Sequence, residues 1–217
     1  MAHRFVLSTP APVDAQTAAF AALIARAQAC QRCPRMAGRT RVLGPANGPL
    51  GPALMFVAEA PGRFGAERTT VPLCGDRSGI TFARLLAGAG LAREDVFVTN
   101  AVLCNPQDHA GRNARPAPEE LRNCAEHLAA QIAVVDPTWV VALGHTALRA
   151  LARLAPHHLR LPHDLGRPVA WRGRRLLALY HPGPRALIRR PFAAQAEDYR
   201  RLAALVTASG DPAARPA

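Results

Sequence analysis

Four cysteines carry the clearest chemical signal in this chain of 217 residues. Cys30 and Cys33 form a C-x-x-C pair, and Cys104 and Cys124 flank a polar, proline-bearing segment far downstream. Four thiolates in such a pattern can close a tetrahedral site around zinc or anchor an iron–sulfur cluster. A redox pair should follow a strand and open a helix, whereas this pair follows a helical pattern and is trailed by Pro34, so we favour a metal site. The alternative for any single cysteine is a small buried apolar residue.

The charge of the chain indicates a polyanionic partner. The net charge is +12, and all 27 basic residues are arginine. A charge this positive is typical of nucleic-acid-binding proteins. A GC-rich genome that replaces lysine with arginine is the alternative, and charge does not separate the two.

Composition and length favour a cytoplasmic, bacterial protein of one domain, residues 1–217. Hydrophobic residues make up 49% and aromatic residues 5%, so Ala, Leu and Val must build the core. No apolar run reaches the roughly 18 residues that a membrane helix needs, and the N-terminal segment lacks a secretory pattern. Five cysteines, an odd number, also argue against a disulfide framework.

Helical and strand-like patterns alternate along the chain. We predict helices over 14–29, 78–90, 146–154 and 192–207, a further helix opening at Pro118, and strands over 53–58, 96–102, 138–143 and 176–180. This order predicts a three-layer α/β/α domain with a central, mostly parallel four-stranded sheet. The core should span about 25–205, and we expect the tail 208–217 to be disordered.

Polar turns follow three of the predicted strands. They are Glu59-Ala60-Pro61-Gly62, Thr99-Asn100 and His181-Pro182-Gly183. Ligands bind at the carboxyl ends of the strands in such sheets, so these turns are the candidate site.

The same turns belong to motifs that resemble those of family 4 uracil-DNA glycosylases. Ala58–Gly62 resembles that family's GEAPG motif, and Val98–Pro106 resembles its TN-x-V-x-C-x-P segment. Arg115–Cys124 resembles its R-x-P-x-x-E-E-x-x-x-C segment, Val141–Gly144 continues the match, and Tyr180–Gly183 lies where the family carries an HPS motif. Each motif is weak alone, but five in order, over about residues 25–205, are specific.

The resemblance implies a [4Fe–4S] cluster on Cys30, Cys33, Cys104 and Cys124, with zinc as the alternative metal. It also implies hydrolysis of the N-glycosidic bond of uracil in DNA. DNA carrying a deaminated base, single- or double-stranded, is then the partner, and we expect a monomer that does not bind membranes.

Asn100 and His181 have side chains suited to holding a flipped base. The Asn100 amide offers a donor for uracil O4 and an acceptor for N3–H, which discriminates against cytosine. His181 can donate to uracil O2 as negative charge develops on the leaving base. The alternative is that Asn100 is a strand-end turn residue and His181 a surface histidine in a proline turn.

Glu59 is the candidate for activating water or stabilising oxocarbenium character at the sugar. The backbone N–H groups of Ala60 and Gly62, on either side of Pro61, could contact the base or a phosphate, and Gly62 permits close approach. Plain strand-to-loop chemistry is the alternative for this turn.

Two positions depart from the family pattern. Leu73 replaces the phenylalanine that stacks on uracil, and Gly183 replaces the serine after His-Pro. The loop before Pro72 also lacks the family's acidic pair and keeps only Glu67. A different deaminated base, such as hypoxanthine or xanthine, is therefore an open alternative.

We interpret Cys74, the fifth cysteine, as a thiol lining the pocket rather than a ligand.

Basic segments on two loops are candidates for DNA binding. One contains Arg185, Leu187, Arg189 and Arg190, and Leu187 with Ile188 could wedge into the base stack. The alternative is a solvated helix start.

The second loop contains Arg112 and Arg115 between the last two cysteines. His109 also lies there; in a related branch a histidine on this loop bonds to the sugar, but the surrounding basic motif is missing here.

The lead hypothesis is a monofunctional DNA glycosylase that starts base-excision repair, without strand cleavage because no lysine exists to form a Schiff base. A non-catalytic or covalent damaged-DNA-binding protein on the same fold is the alternative, and an iron–sulfur protein of unrelated function is the third.

Overall fold

The computed structural model describes residues 14–210. The N-terminal segment, on which the expectation about secretion rests, and residues 211–217 of the predicted tail lie outside this range. The helices are α1 Ala15–Gln28, α2 Ala66–Thr69, α3 Arg77–Ala87, α4 Pro118–Val135, α5 His145–Leu154, α6 Pro184–Arg189 and α7 Phe192–Ala208. The strands are β1 Leu54–Ala58, β2 Val96–Asn100, β3 Trp139–Leu143, β4 Val169–Trp171 and β5 Arg174–Leu179. Within 14–210, no helix is both long enough and apolar enough to span a bilayer.

The strands form one sheet in the order β2-β1-β3-β5-β4. All pairs are parallel except the antiparallel pair of β4 with β5. The mostly parallel sheet is confirmed, but the predicted count of four strands was wrong. β4 was missed because its three residues are half-buried, exposed and buried in turn, a pattern too short to show a period.

Side chains alternate along each strand between two apolar layers. Met55 and Val57 of β1 pack on the side of α1, α4 and α5, whereas Leu54, Phe56 and Ala58 pack on the side of α3 and α7. The predicted three-layer α/β/α architecture is therefore confirmed. Since both faces are covered, the strands read in the sequence as continuous apolar runs rather than as alternating ones.

Local signals set the helix starts near the sheet edge. Asp76 caps α3, because its carboxylate accepts a hydrogen bond from the Gly79 N–H at 2.9 Å. Pro118 occupies the first turn of α4, and the Glu120 carboxylate accepts from the Ala117 N–H at 2.6 Å. Both helices thus begin at fixed positions beside the loops that follow β1 and β2.

Candidate active site

The three predicted catalytic residues converge at the carboxyl edge of the sheet. Glu59 directly follows β1, Asn100 ends β2 and His181 follows β5 by two residues. Asn100 is paired in register with Ala58, so it lies beside the Glu59 turn. Glu59 also acts electrostatically on His181. β1 lies between β2 and β3, so the chain changes direction across the sheet here, as at other ligand sites of open α/β sheets.

His181 is held in one tautomer by its own turn. The Gly183 N–H donates to His181 Nδ1 at 3.0 Å, so Nδ1 carries the lone pair and the ring proton belongs on Nε2. Burial lowers the pKa of His181, although Glu59 and Asp76 partly oppose this effect. The ring is therefore a neutral imidazole that presents an Nε2–H donor.

Asn100 presents an amide that the described chain does not satisfy. Its side chain is buried, with a residue exposure of 2%, and no hydrogen-bond partner within 14–210 accepts from Nδ2. A buried donor without a partner costs roughly 1–3 kcal/mol, so such a group in a strand-end pocket suits a ligand with a matching acceptor.

Glu59 is oriented by a residue that the sequence analysis missed. Thr146, in the first turn of α5, is buried and donates from its hydroxyl to Glu59 Oε2. The signal was available, because Thr146 lies three residues past the end of β3, at the same sheet edge as the other turns. A carboxylate with one oxygen held in this way keeps the other oxygen available to a water or a ligand.

Asp76 is the second missed residue. A Cβ atom placed on either Gly62 or Gly65 would come within 2.6 Å of Asp76 Oδ2, so the carboxylate packs directly on the backbone of the turn after β1. Glycine at these two positions therefore allows the turn and the start of α3 to meet. The signal for Asp76 was its place immediately before a helical pattern.

Leu73 adopts a left-handed backbone conformation, with φ of +49°. The position is strained for a branched side chain. Leu73 is half-buried against the apolar layer of α3 and α7, and its carbonyl lies over Gly79. The neighbouring Cys74 is exposed, so its thiol is open to solvent.

The predicted DNA-contacting residues on α6 divide into two groups. Arg185, Ile188 and Arg189 are exposed, and Leu187 is half-buried. Arg190 forms a two-pronged ion pair with Asp198 of α7, with Nη2 to Oδ1 at 2.6 Å. The Arg190 charge is thus already neutralised within the fold, whereas Arg185 and Arg189 face solvent.

The loop between the last two cysteines carries Arg112 and Arg115, both exposed. Arg112 Nε lies 3.4 Å from an Asp108 carboxylate oxygen. Because this ion pair is exposed, it contributes little to the stability of the fold. The Arg115 carbonyl accepts from Arg35, which also forms an ion pair with Glu120. His109 is exposed on the same loop.

The four predicted cysteine ligands are close enough to act on one another electrostatically. Cys124 is buried, and the other three are half-buried. Burial and neighbouring cysteines raise the pKa of Cys104 to about 11 and that of Cys124 to about 12. Within residues 14–210, no three His, Cys, Asp or Glu side chains form a group that could hold one metal ion, so the ligand role of the cysteines is not demonstrated by geometry.

Donors that suit thiolate ligands surround the cysteines. Asn123 Nδ2 lies 3.5 Å from Cys33 Sγ, and a backbone hydrogen bond from Leu103 lowers the pKa of Cys124 in part. Arg41 donates twice to the Cys30 carbonyl and so ties down the loop of the C-x-x-C pair. N–H groups directed at cysteine sulfur are a known means of stabilising Fe–S ligands.

Comparisons with known proteins identify the family of the chain. The model of the uracil DNA glycosylase superfamily matches residues 45–203. A type-4 uracil-DNA glycosylase of Thermotoga maritima is 34% identical over 158 residues, 72% of this chain and 78% of that protein. A type-4 enzyme of Archaeoglobus fulgidus is 29% identical, covering 78% of this chain and 83% of that protein. A type-5 uracil-DNA glycosylase of Thermus thermophilus is 33% identical, and the match covers 70% of this chain and 82% of that protein. The chain belongs to the uracil-DNA glycosylase superfamily.

Proposed function

We propose that this protein is a monofunctional uracil-DNA glycosylase that hydrolyses the N-glycosidic bond of uracil in DNA. The single observation that carries the proposal is the buried Asn100 amide, whose Nδ2 has no hydrogen-bond partner within residues 14–210, at the same sheet edge as a neutral His181. A donor for O4 and a donor for O2 are the two hydrogen-bond donors that the edge of a flipped uracil requires. The family membership and the names of the relatives support the same substrate.

His181 would stabilise the departing base. As the glycosidic bond lengthens, negative charge grows on uracil O2, and the Nε2–H of the imidazole can donate to it. The Gly183 N–H keeps Nδ1 unprotonated, so the single ring proton stays on Nε2. That proton would be the one donated to the base. Loss of one such donor costs roughly 3–4 kcal/mol in the transition state.

Glu59 would act at the sugar. With Oε2 held by Thr146, the carboxylate can orient an attacking water or stabilise positive character at the anomeric carbon. No lysine exists in the chain, so a Schiff base that leads to strand cleavage has no lysine nucleophile, and the product is an abasic site.

The side chain at position 73 bears on which base the enzyme releases. An aliphatic side chain at this position gives the base less stacking than an aromatic ring would. Uracil is the first expected substrate, and hypoxanthine and xanthine are the comparators.

Cys30, Cys33, Cys104 and Cys124 would hold a [4Fe–4S] cluster. The donor set consists of sulfur alone, and the N–H groups of Asn123 and Leu103 suit thiolate ligands. The cluster would supply a structural brace, which joins the C-x-x-C segment to the loop that carries Arg112 and Arg115.

The DNA would lie across the carboxyl edge of the sheet. Arg185 and Arg189 are exposed there and can neutralise phosphates. Leu187 and the highly exposed Ile188 on the same short helix can fill the gap left by the flipped nucleotide.

The proposal is tested by incubating the anaerobically purified protein with a labelled single-stranded oligonucleotide that contains one uracil, followed by alkali cleavage. We expect cleavage at the uracil, and a loss of about 100-fold or more in Asn100→Ala, whose binding to the same DNA should change far less. Full activity of Asn100→Ala would contradict the site assignment. Binding of uracil-containing DNA by the wild-type protein, without release of uracil, hypoxanthine or xanthine, would support a non-catalytic damage binder instead.

A further inference from the structure

The large apolar side chains that are exposed within residues 14–210 all lie on segments or in first helical turns that follow the carboxyl ends of strands. They are Phe64, Ile80 and Ile188, with exposures of 60%, 62% and 84%. Phe64 follows β1, Ile80 lies in the first turn of α3, and Ile188 lies on the helix after β5. Exposed apolar groups gathered at one edge indicate a binding surface rather than random exposure.

Phe64 is held outward by a tight turn. The Gly65 and Glu67 N–H groups both donate to the Gly62 carbonyl at 3.1 Å, so Arg63 and Phe64 are the two central residues of the turn. The packing of Asp76 on Gly62 and Gly65 fixes the base of the turn. The ring therefore projects from a rigid support directly after the Glu59 segment.

Arg63 supports one face of the Phe64 ring. Its guanidinium carbon lies 4.3 Å from the ring centroid, and its Nη1 donates to the Gly111 carbonyl at 2.7 Å. The Arg63 N–H donates to Asn113 Oδ1 at 3.0 Å. These bonds join the turn to the loop that carries Arg112 and hold the guanidinium against the ring.

A buried amide completes the support. Asn105 is 1% exposed and donates both to the Pro61 carbonyl and to Asn113 Oδ1. Side chains from the loop after β2 thus fix the first end of the Arg63–Phe64 turn, and Asp76 packs on its second end at Gly65. A rigid aromatic ring loses little conformational entropy when a flat ligand stacks on it.

The charge of the surroundings selects the kind of ligand. Arg68 and Arg115 are exposed on the two joined loops, whereas Glu67 is paired with Arg39 at 3.5 Å. A basic surface with an aromatic ring on a rigid turn is the usual arrangement for stacking a base of single-stranded nucleic acid.

We propose that Phe64, backed by Arg63, is a stacking platform for an unpaired base that flanks the flipped nucleotide. The inference rests on the proposed function and deepens it, because it specifies single-stranded DNA as the preferred substrate form. In a duplex the flanking base stays paired and stacked on its other neighbour, so it cannot turn a face to the ring as an unpaired base can.

The test is binding to a labelled single strand and to a duplex, each containing the tetrahydrofuran analogue of an abasic nucleotide. This probe needs no glycosylase turnover. Phe64→Leu keeps an apolar side chain but removes the ring, and Phe64→Tyr keeps the ring. We expect the Kd for the single strand to rise about 5- to 150-fold in Phe64→Leu and less than about threefold in Phe64→Tyr. The duplex should lose less affinity than the single strand.

A direct readout of stacking is the fluorescence of 2-aminopurine placed next to the abasic analogue. Wild type and Phe64→Tyr should quench it, and Phe64→Leu should not. Equal Kd values for wild type and Phe64→Leu, equal losses in both variants, or no binding of the single strand by wild type would each overturn the inference. If wild type binds the single strand in this way but releases no uracil, the proposed function fails while the stacking platform stands.

Discussion

The site around His181 and the set of four cysteines adjoin at one place in the chain, since Cys104 comes four residues after Asn100. Hydrogen bonds from the protein itself hold the pocket: Gly183 fixes the His181 ring, and Thr146 fixes Glu59. The cysteines instead stand as buried or half-buried thiols, and burial raises the pKa of three of them, Cys33, Cys104 and Cys124, in Cys104 to about 11.

The difference shows what each region requires. The site around His181 combines groups that its own chain orients with an Asn100 Nδ2 that has no hydrogen-bond partner within residues 14–210, so we expect changes there to alter catalysis before stability. The cysteine set has its supporting N–H groups in place, but the thiols favour the neutral form until a positive centre ionises them. Changes there should alter stability and cofactor content before the chemistry.

The largest effect is expected from Cys124→Ser. A resident metal centre can contribute on the order of 10 kcal/mol to the folding of a small domain, so loss of one ligand should lower the melting temperature and the iron content sharply. Iron and zinc analysis with visible absorbance checks this, and Cys74→Ser, an exposed thiol outside the set, is the matched control. Wild-type iron content in Cys124→Ser would contradict the cluster assignment, and zinc in place of iron would favour the alternative metal.

His181→Ala should lower the single-turnover rate of uracil release about 10²- to 10³-fold. The melting temperature should change little, since the ring lines a pocket rather than the apolar core. His163→Ala, an exposed histidine, is the control and should retain the wild-type rate. A His181→Ala rate within a few-fold of wild type would remove this residue from the mechanism.

The next test is the dependence of the rate of uracil release on pH. On the acid side, the rate should fall about tenfold for each pH unit. Burial lowers the pKa of His181, so the neutral ring persists below the ordinary histidine value of about 6.5. Activity should hold as pH falls to that value and decline only below it, because protonation of Nδ1 replaces the acceptor that Gly183 uses. An acid limb centred above pH 6.5 would show that another group controls the rate.

Thr146→Val should lower kcat about tenfold with little change in KM. The valine keeps the shape but removes the hydroxyl that holds Glu59, and a hydrogen bond to a charged group is worth roughly 1.5 kcal/mol or more. Thr146→Ser, which retains the hydroxyl, should restore most of the rate. If serine and valine lower kcat equally, the effect is one of packing rather than of orientation.

The sequence predicted the residues that lie at strand ends better than the residues that support them. Asn100 and Glu59 follow apolar runs whose parallel arrangement places their ends at one edge, so their convergence follows from the topology. Thr146 and Asp76 were missed because their roles depend on which groups face them across the sheet edge: the Glu59 carboxylate for Thr146 and the backbone of Gly62 and Gly65 for Asp76. That information lies in the packing of α3 and α5 against the turns, not in the local pattern.

The same limit applies to the sheet and to α6. β4 was missed because a three-residue edge strand beside a hairpin turn carries no periodic signal. The sequence placed Arg190 with Arg185 and Arg189 as one basic segment. Its ion pair with Asp198, eight residues later, depends on how α7 folds back, which the charge pattern alone does not reveal.

The smallest effects are expected from Arg189, the last residue of α6, and from Arg190, which follows it. Loss of Arg189 should affect DNA binding, and loss of Arg190 should affect stability. Arg189 is exposed, so Arg189→Ala should weaken DNA binding and reduce the slope of log K against log salt by about one, without a change in melting temperature. Arg190 is 27% exposed and Asp198 5% exposed, so Arg190→Ala should cost about 1–3 kcal/mol of stability because it leaves the carboxylate unpaired. Salt-dependent binding and thermal unfolding of both variants check this. A reduced salt slope in Arg190→Ala would mean that its guanidinium leaves Asp198 for a phosphate when DNA binds, and the pocket region would then extend to the start of α7.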